Sequence, residues 1–231
     1  MANTTLTTDL SATVQRAAGI SDQVTTRLRE LILNGVITET EVLTEATLAT
    51  KLGVSRTPVR EALARLENDG LVEAAGLRGK RIRQFTSSEI RELYWLRITI
   101  EGAVVAELAA RKPDRAALKP LETLLEEQRL AAKSDNRPKF LEIDHAFHSA
   151  LVEALEYNHV NTMLRGMRYT FDLISLKPTY QHKNRIAEVL VEHQNILKAL
   201  RNHNAATARK AMTDHLKRTE ELTLVVLEKR A

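Results

Sequence analysis

A chain of 231 residues with 43% hydrophobic content has room for one large core or two modest ones. It has no cysteine, which excludes disulfides and thiolate metal sites. It also lacks a run of about 18 apolar residues to span a membrane and a charged start followed by an apolar block to direct secretion. The net charge of +4 is a mild excess, so its placement matters more than its size, and a cytoplasmic protein of two domains is expected.

Residues 1 to 19 are rich in Thr, Ser and Ala and read as a flexible arm. From Ser21 to Asn34 the spacing of Val24, Leu28, Leu31 and Ile32 predicts a helix that Gly35 stops, with Arg29 on its outer side as a candidate phosphate contact. Thr44 to Leu52 reads as a second short helix with Leu48 and Leu52 inward, and Gly53 supplies a left-handed turn. In the stretch GVSRTPVREALARLENDGLV, Val59, Leu63 and Leu66 share one helical face and leave Arg56 and Arg60 on the other. Ser55 is the expected cap, Pro58 is tolerated near the start, and Gly70 closes the end.

This is a helix-turn-helix pattern, and in such motifs the second helix enters the major groove of duplex DNA. Leu71 to Ala74 and Lys80 to Gln84 then read as two strands joined by a tight turn, the wing of a winged helix. Lys51, Arg56, Arg60 and Arg65 face only Glu61 between residues 51 and 65, while Arg78, Lys80, Arg81 and Arg83 form a second basic cluster in the wing. A charge run alone is usually a solvated face, but two runs flanking a groove helix point to nucleic acid. The candidate DNA contacts are Arg29, Ser55, Arg56, Thr57, Arg60, Arg78 and Gly79.

After Gln84, one of Thr86, Ser87 and Ser88 is placed to cap the next helix, which sets a domain boundary near residue 85. Everything beyond reads as helix, in six segments: 88 to 111, 114 to 133, 137 to 156, 159 to 176, 182 to 202 and 205 to 229. Their breaks include Lys112-Pro113 and Lys177-Pro178. The expected fold is mainly α: a winged helix-turn-helix with a two-stranded wing over 20–85, then an all-helical antiparallel bundle over 86–231.

SRTPVREAL, RLE and GLV, standing at 55–63, 65–67 and 70–72, resemble the DNA-binding domain of the GntR family of bacterial transcription regulators. The chain departs from that family at Thr40 and Glu41, where Pro-Gly is usual, so the loop there is expected to be longer or looser. YWLRITIEGAVVAELAARK at 94–112 resembles the start of the FCD effector domain of the FadR subfamily, and six helices look more like its VanR-type branch than the seven-helix FadR type. The resemblance implies a homodimer that grips a pseudo-palindromic operator, commonly as a repressor released by a small metabolite.

Asp144 and His148 stand four apart and project from one helical face as a ready pair of metal ligands. His193 lies near the edge of the stripe Ile186, Val189, Leu190, Ile196, Leu197 and Leu200, and His215 lies beside Met212 and Leu216. Taken singly, each reads as an ordinary bridging or surface histidine. Metal-binding FCD domains, however, carry an Asp and a His four apart, a His in an EH-x-x-I-type helix and a His in the last helix. The resemblance therefore implies a site of Asp144, His148, His193 and His215, and leaves His145, His159, His182 and His203 as surface or helix-end residues.

Three imidazoles and a carboxylate suit zinc or nickel, with manganese or iron as alternatives, and leave positions for a small organic acid. Arg97 is the leading anchor for that acid, although it is equally placed to pair with Glu101 one turn on. Arg165 and Arg168 are weaker candidates. Two other readings compete: a metal-free acyl-CoA-type sensor, and a metal-dependent hydrolase, for which no glutamate has general-base spacing.

Overall fold

The computed structural model describes residues 18–77, 79–182 and 184–228. Helix α1 (Ala18–Leu33) buries Val24, Leu28 and Ile32 and ends at Gly35, whose φ of 69° requires the left-handed region. It starts three residues before Ser21, so residues 18 and 19 belong to the helix, and the remainder of the expected arm lies outside the described residues. The loop that departs from the family pattern is pinned by Glu41, whose carboxylate accepts from the Thr38 backbone N–H at 2.9 Å. This closes the turn in place of the usual Pro-Gly.

Helix α2 (Glu45–Leu52) is capped by the Thr44 hydroxyl, and Gly53 at φ 66° turns the chain into α3 (Arg56–Asn68). Ser55 occupies the N-cap position of α3 but makes no side-chain cap bond, contrary to expectation. One of the two possible donors is missing from the sequence itself: the N3 residue is Pro58, which has no N–H. Val59, Ala62, Leu63 and Leu66 face inward. Strands β1 (Val72–Ala74) and β2 (Lys80–Ile82) pair antiparallel with Val72 opposite Ile82, and Leu43 bridges to Lys80 at the wing edge.

Helix α4 (Ser87–Ala110) opens with a capping box in which the Thr86 hydroxyl accepts from Glu89 N–H while the Glu89 carboxylate accepts from Thr86 N–H. There follow α5 (Arg115–Lys133), α6 (Arg137–Glu153), α7 (Asn158–Gly166), α8 (Arg168–Gln181), α9 (Arg185–Arg201) and α10 (Ala205–Glu228). The bundle thus has seven helices among the described residues, not six, and the count no longer favours the six-helix branch. The helix expected over 159–176 breaks at Met167, directly after the helix-weakening Gly166, and α8 then runs past Pro178 to Gln181. Helix α6 stops short of Glu156, which takes a positive φ of 57°.

The bundle core is built from Val105, Phe147, Leu151, Ile196, Leu200, Met212 and Leu216, packed among α4, α6, α9 and α10. A separate cluster joins the winged helix to the bundle, because Phe171, Leu173 and Ile174 of α8 pack with Leu28, Leu66 and Leu71. No described helix is long and apolar enough to cross a membrane.

Candidate metal centre and nucleic-acid interface

His148 on α6, His193 on α9 and His215 on α10 turn inward from three helices, each 5% exposed or less. Their apolar neighbours hold them there: Phe147 stacks on the His193 ring with centroids 4.1 Å apart, and Met212 and Leu216 flank His215 in the core. One ligand atom from each of the three lies within 4.8 Å of the others. Asp144, one turn before His148, places Oδ1 3.5 Å from His193 Nε2 and Oδ2 4.0 Å from His148 Nε2.

Each imidazole has a dedicated acceptor at Nδ1. His148 Nδ1 meets the Glu101 carboxylate, His215 Nδ1 meets Glu192 Oε2 at 2.6 Å, and His193 Nδ1 meets Gln128 Oε1 at 2.9 Å. The carboxylates are held ionised. Burial would raise Glu101, but Arg97, with Nε donating to it at 2.6 Å, and His148 pull it well below the usual range. Burial acts likewise on Glu192, and hydrogen bonds from His215 and from Arg185, bidentate at 2.8 and 2.9 Å, bring it down to about 2. An ionised carboxylate only accepts, so His148 and His215 donate from Nδ1 and, as neutral rings, keep their lone pairs at Nε2.

Burial also lowers the pKa of His193 well below the ordinary histidine value, with the neighbouring histidines adding to the effect, and lowers that of His215 against the pull of Glu192. The Nε2 atoms of His148 and His215 stand 3.2 Å apart, and the buried His193 Nε2 has no hydrogen-bond partner. Converging nitrogen lone pairs repel unless a proton or a metal cation lies among them. A zinc ion with Zn–N of about 2.0–2.1 Å implies an N···N edge of roughly 3.3 Å in tetrahedral geometry, so the His148–His215 separation fits a divalent ion.

Beside this cluster lies a cavity of about 20 Å³, lined by Arg97, His145, His148, Ser149, Asn161 and Phe171 among others. That space holds about one water molecule. Arg97 lines it, but its guanidinium pairs with Glu101 and lies 4.9 Å over Phe171, which is the local pairing the i, i+4 spacing offered. Arg168 forms an ion pair with Asp172, Nε to Oδ2 at 3.6 Å, without a hydrogen bond, whereas Arg165 is exposed and is not among the cavity-lining residues. His145, expected at the surface, instead lines the cavity. Its pKa is lowered to about 3, first by burial and then by Arg168.

On the opposite domain, Arg56, Thr57 and Arg60 lie exposed along the outer face of α3, with Ser55 exposed at its start. Arg60 is held by Glu45 of α2, Nε and Nη2 donating at 2.8 and 3.0 Å. The wing is less bare than its composition suggested: Lys80 pairs with Glu67, Arg81 with Glu73 and Arg83 with Glu89. Arg56 makes no ion pair among the described residues. Gly79 sits where an added Cβ would collide with Val42, and Arg78 lies outside the described residues.

Arg29 is a correction. It does not face outward: its guanidinium pairs with Asp69 at 2.7 Å and lies 4.0 Å over the Tyr169 ring of α8, so it joins the end of α3 to the bundle. A sequence pattern shows one helix face at a time, and the partner here lies 140 residues away in the chain.

Residues 20–82 match the model of bacterial regulatory proteins of the gntR family, and residues 92–218 match the FCD domain. The chain belongs to the GntR family. An uncharacterized HTH-type regulator, YdhC of Bacillus subtilis, is 30% identical over 203 residues, covering 87% of this chain and 90% of that one. The HTH-type transcriptional repressor RspR of Escherichia coli is 27% identical, covering 87% and 88%, and the gluconate operon repressor of Bacillus subtilis is 27% identical, covering 80% and 76%. A solved GntR regulator of Rhodococcus sp. RHA1 superposes with a TM-score of 0.74 at 26% identity, over 88% of this chain and 97% of that one. This GntR protein is therefore a DNA-binding transcription regulator with an FCD domain, not an enzyme.

For such a regulator, the family resemblance implied the four candidate ligands, but neither it nor the residue spacing pointed to most of what surrounds them. Gln128 and Glu192 gave no local signal, because each reaches its histidine across helices, and Arg185 backs Glu192 from two turns away on the same helix. Only the Arg97–Glu101 pair, one turn apart, was legible.

Proposed function

We propose that this GntR regulator is a homodimeric cytoplasmic repressor whose bundle holds one divalent metal ion through Asp144, His148, His193 and His215. A small carboxylate metabolite binding beside that ion would alter operator affinity. The proposal divides the chain at about residue 85, with the winged helix reading duplex DNA through Ser55, Arg56, Thr57, Arg60, Arg78 and Gly79.

The observation that carries the metal reading is the convergence of three Nε2 atoms whose Nδ1 partners are already satisfied. Bound there, a divalent ion such as zinc, or alternatively nickel, manganese or iron, would supply Lewis-acid attraction for a carboxylate oxygen. The residues do the rest: Glu101, Glu192 and Gln128 hold the rings, and Arg97 stands at the cavity wall to meet a second carboxylate oxygen. A metabolite needs more room than one water, and α7, none of whose residues is buried, is the wall that yields most cheaply.

Ligand control requires unequal affinity for the DNA-competent and DNA-incompetent arrangements. Fluorescence anisotropy of the full chain on a promoter fragment from its own locus tests this, with zinc or chelator and a panel of sugar, hydroxy and aromatic acids. The gluconate operon repressor among its relatives makes sugar acids the first arm. An acid that weakens DNA binding with zinc and not with chelator supports the proposal. Equal DNA binding under every condition refutes it.

A further inference from the structure

The three imidazoles are not held alike. His148 and His215 rest on carboxylates, each backed by a buried arginine, Arg97 behind Glu101 and Arg185 behind Glu192. His193 rests instead on a side-chain amide. Gln128 of α5 is fully buried, with Oε1 2.9 Å from His193 Nδ1 and Nε2 3.1 Å from Asp144 Oδ1. It is the group that bonds both a histidine ligand and the carboxylate ligand.

A carboxylate offers only acceptors, so the atom of Gln128 facing Asp144 is its NH₂. The amide cannot flip without setting its oxygen against that carboxylate, so Oε1 faces His193 and Nδ1 carries the ring proton. The His193 Nε2 lone pair is thereby left free, and this is the buried atom without a partner. The same amide N–H draws Asp144 Oδ1 to 3.5 Å from that Nε2.

We infer that Gln128 is the positioning residue that makes this a four-ligand centre: through one amide it fixes the tautomer of His193 and holds Asp144 in the coordination sphere. This rests on the metal reading above. Without the amide, three imidazoles still converge, but Asp144, 21% exposed at its side chain, is free to turn to solvent. Gln128 therefore determines whether the ion sees three nitrogens and an oxygen or three nitrogens alone. Loss of a group holding metal ligands typically weakens affinity by about 10- to 100-fold.

The test titrates the full chain, stripped by chelator, with cobalt(II), reading affinity by competition and ligand number from the visible absorption spectrum. Wild type, Gln128→Glu, Asp144→Ala and the double variant are compared, with circular dichroism to check folding. In Gln128→Glu the new carboxylate still accepts from His193 but repels Asp144. The expected result is affinity about tenfold or more below wild type, a spectrum matching that of Asp144→Ala, and a double variant no weaker than Asp144→Ala alone.

Should Gln128→Glu fail to fold, Gln128→Met, an uncharged side chain of similar length that also gives up the bond to His193, takes its place, with a spectrum like that of Asp144→Ala and an affinity no higher than that variant's expected. Wild-type affinity and spectrum in the folded Gln128 variant, or additive losses in the double variant carrying Gln128→Glu, would overturn the inference while leaving the metal site standing. A wild-type chain that binds no cobalt would remove both.

Discussion

Asp172 on α8 is a carboxylate kept in an unfavourable place. It is 16% exposed at its side chain, and burial raises its pKa to about 6, with Asp144 adding to the rise and Arg168 and Arg97 only partly offsetting it. An acid whose folded pKa is raised above its unfolded value of 3.8 stabilises relatively below 3.8 and loses that contribution as pH rises through 6. At about 1.4 kcal/mol per pKa unit, the charged form costs roughly 3 kcal/mol at pH 7.5 and about half that at pH 5. Asp172→Asn removes the charge at nearly constant volume.

Urea unfolding of the chelated full chain should therefore show the variant gaining stability over wild type by about 1.5 kcal/mol more at pH 7.5 than at pH 5. A stability difference that does not change with pH would refute the reasoning, and so would an Asn variant that falls further behind as pH rises. The latter would mean that Arg168 and Arg97 hold the carboxylate more firmly than burial disfavours it.

Other expectations follow from the same structure. Arg60→Ala should lower affinity for the operator at least about tenfold if the residue reads a base, with a smaller loss on unrelated duplex; anisotropy titrations at fixed salt check this, and equal loss on both would assign Arg60 to phosphate. Arg185→Met should destabilise the chelated chain by about 3 kcal/mol, because Glu192 loses a bidentate partner in a buried setting; a change below about 1 kcal/mol in urea unfolding would show the pair to be dispensable. Gly70→Ala should cost about 1–2 kcal/mol or more, since φ is 72° and the new Cβ would stand 2.6 Å from Thr170 Oγ1; a neutral melting temperature would contradict the tight joint between the end of α3 and α8.

The winged helix was almost wholly legible in the sequence, because its signals are local. Gly53 and Gly70 mark turns that need positive φ, Thr44 caps α2, and Val59, Leu63 and Leu66 repeat at helical spacing. Ser55 misled because the cap rule concerns its hydroxyl, whereas the bond also needs a donor in the first turn, where Pro58 offers none. The break at Met167 was missed because Gly166 weakens a helix without ending it, and the packing of α8 against the winged helix joins residues far apart in the chain.

Spacing alone showed only that Asp144 and His148 share a helical face and that His193 and His215 lie beside apolar stripes; the resemblance to metal-binding FCD domains joined the four. Apart from the Arg97–Glu101 pair, their supports were not visible. Gln128 reaches His193 across 65 residues, and Arg29 meets Tyr169 across 140, distances over which no periodicity carries information. The basic wing was overread for the same reason, since the acids that pair with Lys80 and Arg83 come from α3 and α4.

The convergence of His148, His193 and His215 is tested most directly by metal content. Full-length wild type and His193→Ala, both confirmed as folded, are exposed to excess zinc, passed through a desalting column and measured by elemental analysis. One zinc per wild-type chain and about a tenth of that or less in the variant is the expected result. Equal zinc in both proteins, or none in either, would contradict a centre built on these three imidazoles.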